Sequence, residues 1–169
     1  MSKLSILFVC LGNICRSPLA EGVFHDVIDA RGEASRYRID SAGTGAWHVG
    51  SAPDPRSIEI AARYGIDTSR QAARKFSLRD SEDFDLVLGL DRSNVDDLRA
   101  AAGPRGSAKV HLYMDYALGL QRDVPDPYYG GARGFEEVYR MIREASEALA
   151  EKLAVDVSAA PSGHTSSTI

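Results

Sequence analysis

A cysteine and an arginine stand at the two ends of one short loop, Cys10 and Arg16 in "VCLGNICRSP". A thiolate is a strong nucleophile, and a guanidinium is a planar fork that can grip two oxygens of a tetrahedral anion. The pair therefore suits attack on a bound phosphoryl group. Between them, Gly12 and Asn13 are residue types that tolerate unusual backbone angles, which a loop turning successive N–H groups toward one point requires. A helix starting directly after the loop adds its dipole to that anion nest. The same surroundings favour the thiolate of Cys10 over a free thiol, whose ordinary pKa is about 8.5. The ATP-type loop G-x-x-x-x-G-K-[ST] is absent, and no lysine follows the turn.

If an aryl ester is attacked, its leaving phenolate has a conjugate-acid pKa of about 10 and needs a proton. "DVPDPYYGG" offers a donor in Asp126, whose two flanking prolines hold the backbone extended and restrict where the carboxyl can point. Tyr128 and Tyr129 follow it, as flat apolar walls for an aromatic group. Asp91 and Asp115, each near the end of a predicted strand, are alternatives for the same role.

The elements that must position these residues alternate along the chain. "SILFVC" is a continuous apolar run, as in a buried parallel strand. Ser17 is a candidate N-cap and Pro18 suits a first helical turn, after which Ala20, Val23, Phe24, Val27 and Ile28 share one face. "YRIDSAG" is a second strand that enters a glycine-rich loop. A helix from about Asp54 to Gly65 turns Ile58, Ala61 and Ala62 inward. "FDLVLGLD" is a third strand, "RSNVDDLRAAAG" a helix ending at Gly103, and "AKVHLYMDY" a fourth strand. Phe135, Val138, Ile142, Ala145, Leu149 and Leu153 trace a long final helix. The pattern predicts one α/β domain over residues 1–155, a four-stranded parallel sheet with helices on both faces. Residues 156–169, small and polar without periodicity, read as a disordered tail. Ligands of open α/β sheets sit at the carboxyl ends of the strands, which is where Cys10 falls.

Composition bounds the remaining choices. The 169 residues are 44% hydrophobic and 26% charged, as in an ordinary globular protein. A net charge of −4 argues against nucleic acid as a partner. The apolar opening is too short to span a membrane and lacks a cleavage site, so no membrane insertion and a cytoplasmic location are expected. Two cysteines make no disulfide framework, and the four scattered histidines make no metal cluster.

With "DPYYG" near the C-terminus and "DSAGT", "WHVG", "PDPRS", "YGI" and "LDRSN" between, the chain resembles the low-molecular-weight protein tyrosine phosphatases from about Lys3 to Leu153. The resemblance implies a flavodoxin-like sheet and a two-step hydrolysis that uses no metal and no cofactor. Its substrates would be tyrosine-phosphorylated proteins and small aryl phosphates, and its loop would also hold free phosphate or other oxyanions. It implies Cys10 as nucleophile, Arg16 and the backbone of Leu11, Gly12, Asn13, Ile14, Cys15 and Ser17 as the phosphate cradle, and Asp126 as acid and then base. Ser17 would hydrogen-bond the thiolate, and Ser41 would help Asn13 hold the loop. Trp47, Tyr128 and Tyr129 would flank the mouth, and Cys15 would trap an oxidised Cys10 as a disulfide. Many members carry a histidine after a threonine beyond "GI", where it supports the loop asparagine; here the segment is Thr68-Ser69-Arg70.

Three other activities fit parts of the pattern. An arsenate reductase of the same fold needs cysteines downstream, and none follows Cys15. A phosphoarginine phosphatase tends to carry threonine where this loop has Ile14. A non-catalytic phosphoprotein-binding module needs neither Cys10 nor Asp126.

Overall fold

The computed structural model describes residues 3–128 and 132–167, with side chains through residue 155 apart from that of residue 132. Four parallel strands form one sheet in the order β2-β1-β3-β4: β1 is Leu4–Cys10, β2 Tyr37–Gly43, β3 Leu86–Gly89 and β4 Val110–Leu112. The helices are α1 Arg16–Ala30, α2 Pro55–Arg63, α3 Leu78–Asp83, α4 Arg92–Ser107, α5 Tyr113–Leu118 and α6 Ala132–Ser167, and a short 3₁₀ turn covers Ala34–Arg36.

β1 is buried on both faces, so its side chains divide by the period of two. Ile6, Phe8 and Cys10 join a core with Phe24 of α1, Tyr113 of α5 and the inner face of α6. Leu7 and Val9 join the opposite core, with Phe84, Val87, Leu98 and Val110. Phe8 packs against Phe24 and Tyr113 at ring separations of 5.9 and 5.3 Å. On α6, Phe135, Val138, Ile142, Ala145, Leu149 and Leu153 are all buried, as the apolar spacing predicts. Each large side chain in that row stabilises the helix against the sheet by about 1.5–3 kcal/mol.

The chain leaves β1 for β2 on one side, and β3 then pairs with β1 on the other. The carboxyl end of β1 is thus the point where the strand order reverses, and the crevice that such a reversal opens lies directly over Cys10.

The elements depart from the sequence pattern in four places. The "AKVHLYMDY" strand ends at Leu112 and becomes α5. Tyr113 and Met114 are adjacent and both buried, which one helical turn allows and an alternating strand does not. In α2 the buried positions are Ser57, Ile60 and Ala61, whereas Ile58 is half-buried and Ala62 exposed, because the helix packs against α1 and α6 together. α4 continues to Ser107 past a break at Gly103, whose φ of 73° is the left-handed region. α1 starts at Arg16 with Cys15 at the N-cap position, so Ser17 lies inside the helix and is free for other work. The α6 backbone is helical to Ser167. No helix among the described residues is long and apolar enough to cross a membrane.

Candidate active site

The loop after β1 wraps a cavity of about 310 Å³, lined by Cys10, Leu11, Gly12, Ile14, Cys15, Arg16, Trp47, His48, Asp126 and Tyr128. Its shape depends on Asn13, whose φ of 57° makes it the one non-glycine residue with positive φ among the described residues. Asn13 tolerates this region better than most side chains, and its own amide then fixes the turn. The amide nitrogen donates to Ser17 Oγ at 2.8 Å and Ser41 Oγ at 3.0 Å, and the amide oxygen accepts the Arg74 backbone N–H at 3.0 Å. Arg70, at the place of the family histidine, is exposed; the Arg74 backbone supplies the support instead. From Gly12 to Arg16, no backbone N–H donates to a protein acceptor among the described residues. These donors lie at the N-terminus of α1, where the dipole favours an anion.

Cys10 Sγ lies 3.0 Å from Ser17 Oγ and accepts the Ser17 N–H at 3.4 Å. Ser41 Oγ passes the network on by donating to Glu21 Oε1 at 2.7 Å. Burial pushes the Glu21 carboxyl up to about 7, against the Ser41 bond, which lowers it. Burial, with Asp54, Cys10 and Asp126 close by, pushes the Cys15 thiol up to about 12. Cys15 is therefore a neutral thiol at physiological pH, and both cysteines are free.

Arg16 is 3% exposed, and its Nη1 donates to Asp91 Oδ2 at 2.7 Å and to the Val124 carbonyl at 2.8 Å. Burial opposes its charge, but Cys10, Asp91 and Asp126 outweigh that and hold its pKa above the ordinary value. Asp91 also caps α4 by accepting the Asn94 N–H at 2.7 Å. Its place is thus behind the guanidinium, orienting the fork, and it does not line the cavity. Asp115 lies on α5 and does not line it either.

Asp126 does line the cavity. Its carboxylate is 41% exposed, with Oδ2 3.7 Å from Arg16 Nη2 and Oδ1 accepting the Tyr128 N–H at 3.0 Å. Trp47, 72% exposed, and Tyr128 stand at the mouth; Tyr129 lies outside the described residues. Among the described residues, no cluster of three or more His, Cys, Asp or Glu could hold a metal ion.

Sequence reasoning missed His48, Glu21, Asp91 as the partner of Arg16, and the Arg74 backbone. His48 stands against the loop, where a Cβ on Gly12 would come within 3.0 Å of its ring. The spacing of Asp91 to Asn94 signals a capping box, but nothing in it signals a guanidinium 75 positions away. The contacts of Glu21 with Ser41 and of the Arg74 backbone with Asn13 likewise join residues 20 and 61 positions apart.

The family model described as "Low molecular weight phosphotyrosine protein phosphatase" matches residues 5–159. A protein of that name from Schizosaccharomyces pombe is 45% identical over 155 residues, covering 90% of this chain and 98% of its own. The crystal structure of YfkJ from Bacillus subtilis is 40% identical with a TM-score of 0.86, covering 92% and 98% of the two chains. A protein tyrosine phosphatase from Entamoeba histolytica, crystallised with Hepes in its active site, has a TM-score of 0.86 at 34% identity, covering 91% and 99%. The match thus extends over nearly the whole length of these relatives, and the chain belongs to the low molecular weight phosphotyrosine protein phosphatase family.

Proposed function

We propose that this protein hydrolyses phosphotyrosine in phosphorylated proteins, and small aryl phosphates, through a phosphocysteine. The observation that carries the reading is convergence: one cavity holds Cys10 Sγ, the Arg16 guanidinium and the Asp126 carboxyl, with a run of unpaired backbone N–H groups around it.

The phosphoryl oxygens bind the N–H groups of the loop from Leu11 to Ser17 and the outer face of Arg16. These donors are already in place, so no reorganisation opposes the developing charge. Cys10 Sγ attacks phosphorus, the P–O bond to the aryl group breaks, and its electron pair leaves on the phenolic oxygen. Asp126 gives that oxygen its proton. The resulting carboxylate takes a proton from water as the water oxygen attacks phosphorus. The P–S bond then breaks, inorganic phosphate leaves, and the electron pair returns to sulfur. Ser17 Oγ at 3.0 Å stabilises the departing thiolate, while Asn13 and Ser41 keep the loop shaped around it. Trp47, Tyr128 and Tyr129 flank the aromatic ring, and Ile14 gives the cavity an apolar wall that suits an aryl ester better than a guanidino one.

Cys15 completes the reading as redox partner of Cys10: held as a thiol in the same cavity wall, it condenses with a sulfenic acid on Cys10 and releases water. Free thiols at the site suit the reducing cytoplasm, where we place the protein.

The test is phosphate release from a phosphotyrosine peptide in EDTA, wild type beside Cys10→Ser. Turnover by the wild type alone is the expected result. Equal turnover by both would remove Cys10 from the mechanism, and binding without turnover in either would leave a phosphoprotein-binding module.

A further inference from the structure

The acid sits on the least supported part of the site. Asp126 belongs to the connection between α5 and α6, and its carboxylate is 41% exposed. Upstream, the connection is pinned at buried Val124, whose N–H donates to Leu90 O at 2.9 Å and whose carbonyl accepts from Arg16. Downstream, it is pinned at Tyr128, the residue whose N–H holds Asp126 Oδ1. Arg56 Nη2 donates to the Tyr128 carbonyl at 2.9 Å, and the guanidinium lies 5.5 Å from the Tyr128 ring and 4.8 Å from that of Phe135 on α6.

Arg56 is itself held firmly. Its Nε and Nη2 donate to the two carboxylate oxygens of Asp54 at 3.0 and 2.9 Å, and its backbone N–H donates to the same group at 2.8 Å. The Asp54 N–H in turn donates to the carbonyl of Ile14, in the middle of the phosphate-binding loop, at 2.7 Å. A line of bonds therefore runs from Ile14 through Asp54, Arg56 and Tyr128 to the carboxyl of Asp126.

We infer that Arg56 is a positioning residue that sets the distance between the acid and the phosphate-binding loop, an inference that rests on Asp126 being the general acid. Arg56 does not line the cavity. Its ion pair with Asp54 holds the guanidinium in place, the carboxylate being 9% and the guanidinium 41% exposed. Its bond to the Tyr128 carbonyl gives it a second task. A general acid works only within hydrogen-bond reach of the leaving oxygen, and a displacement of about 1 Å can cost on the order of a hundred-fold. Releasing Tyr128 lets the carboxyl drift over such distances while the nucleophile and the cradle stay in place. The resulting loss is selective, because esters of acidic phenols need no proton and esters of basic phenols do.

The experiment measures kcat/KM, which reports the steps through cleavage of the P–O bond, for a series of aryl phosphates graded by phenol pKa, using the full chain as wild type, Arg56→Gln, Arg56→Lys, Asp126→Asn and the double variant Arg56→Gln/Asp126→Asn. Arg56→Gln is expected to slow the esters of basic phenols roughly ten-fold more than those of acidic ones. Arg56→Lys is expected to recover part of that difference. The double variant should match Asp126→Asn, because a residue acting through Asp126 has nothing left to position. The comparison is a ratio between substrates on one preparation, so a partly unfolded sample does not alter it; should Arg56→Gln fail to fold, Arg56→Lys carries the same ratio. Uniform slowing by the Arg56 variants, with a graded effect from Asp126→Asn, would overturn the inference alone. An ungraded Asp126→Asn would overturn the general-acid reading and the inference with it.

Discussion

Glu21 shows how much a single side chain under the loop can cost the fold. Its carboxylate accepts from Ser41, which in turn supports Asn13, so the group is held in position by the machinery it serves. Burial favours the protonated form, with Asp40 adding to that preference and Arg74 opposing it. A carboxyl raised from 4.5 to about 7 contributes stability that is fully present below about pH 4.5 and is lost as pH rises through about 7. Glu21→Gln removes the titration. Urea unfolding across this range should show the wild type falling relative to the variant, with the variant more stable at pH 8 by on the order of 3 kcal/mol. Parallel curves would mean that Glu21 stays ionised and solvated. Cys10 and Arg16 were legible as candidates from residue type and local setting, and Asp126 was legible beside Asp91 and Asp115, set apart by the family resemblance. Glu21 was not, since an ordinary helical glutamate and a buried one look the same until Ser41 of β2 is brought over it.

Among the elements, the end of β2 decides whether the loop can close. Thr44 and Gly45 donate their N–H groups to the carbonyls of Cys10 and Leu11 at 2.9 Å each, continuing the β1–β2 ladder into the loop. A Cβ on Gly43 would stand 2.8 Å from Leu11 O and 3.1 Å from Asn13 N, both backbone atoms that cannot swing aside. Gly43→Ala should therefore push the loop off β2 and weaken inhibition by inorganic phosphate by roughly ten-fold or more, about 1.4 kcal/mol. Gly32→Ala is the control. It meets nothing within 4 Å but has a φ of +70°, so it should lower stability by about 1 kcal/mol and leave phosphate inhibition unchanged. A Gly43 variant with normal phosphate inhibition would show that the loop tolerates the displacement. β1, α1 and the inner face of α6 were legible because their apolar periods are local. α5 was not, because its burial of adjacent residues is set by the space between β4 and α6 rather than by the strand-like alternation around it.

At the scale of the whole molecule, Leu153 is the last buried side chain among the described residues, and Val155 is exposed. A chain ending after Val155 should keep its thermal midpoint and its turnover of a small aryl phosphate. A lower midpoint in thermal unfolding would mean that residues beyond 155 contribute to the core. What the sequence by itself determined is the chemistry and its local frame. A buried strand, a cysteine at its end, an anion nest with Arg16 and a following helix are all encoded within about twenty residues by short-range rules. The tertiary structure alone decided which distant groups complete that frame. Asp91 behind Arg16, the Arg74 backbone on Asn13, Glu21 under Ser41 and Arg56 on the acid loop all arrive through the strand order and the packing of helices against it. The reason is physical: a hydrogen bond between residues tens of positions apart depends on where the whole fold brings two elements, and no local period or residue type carries that distance.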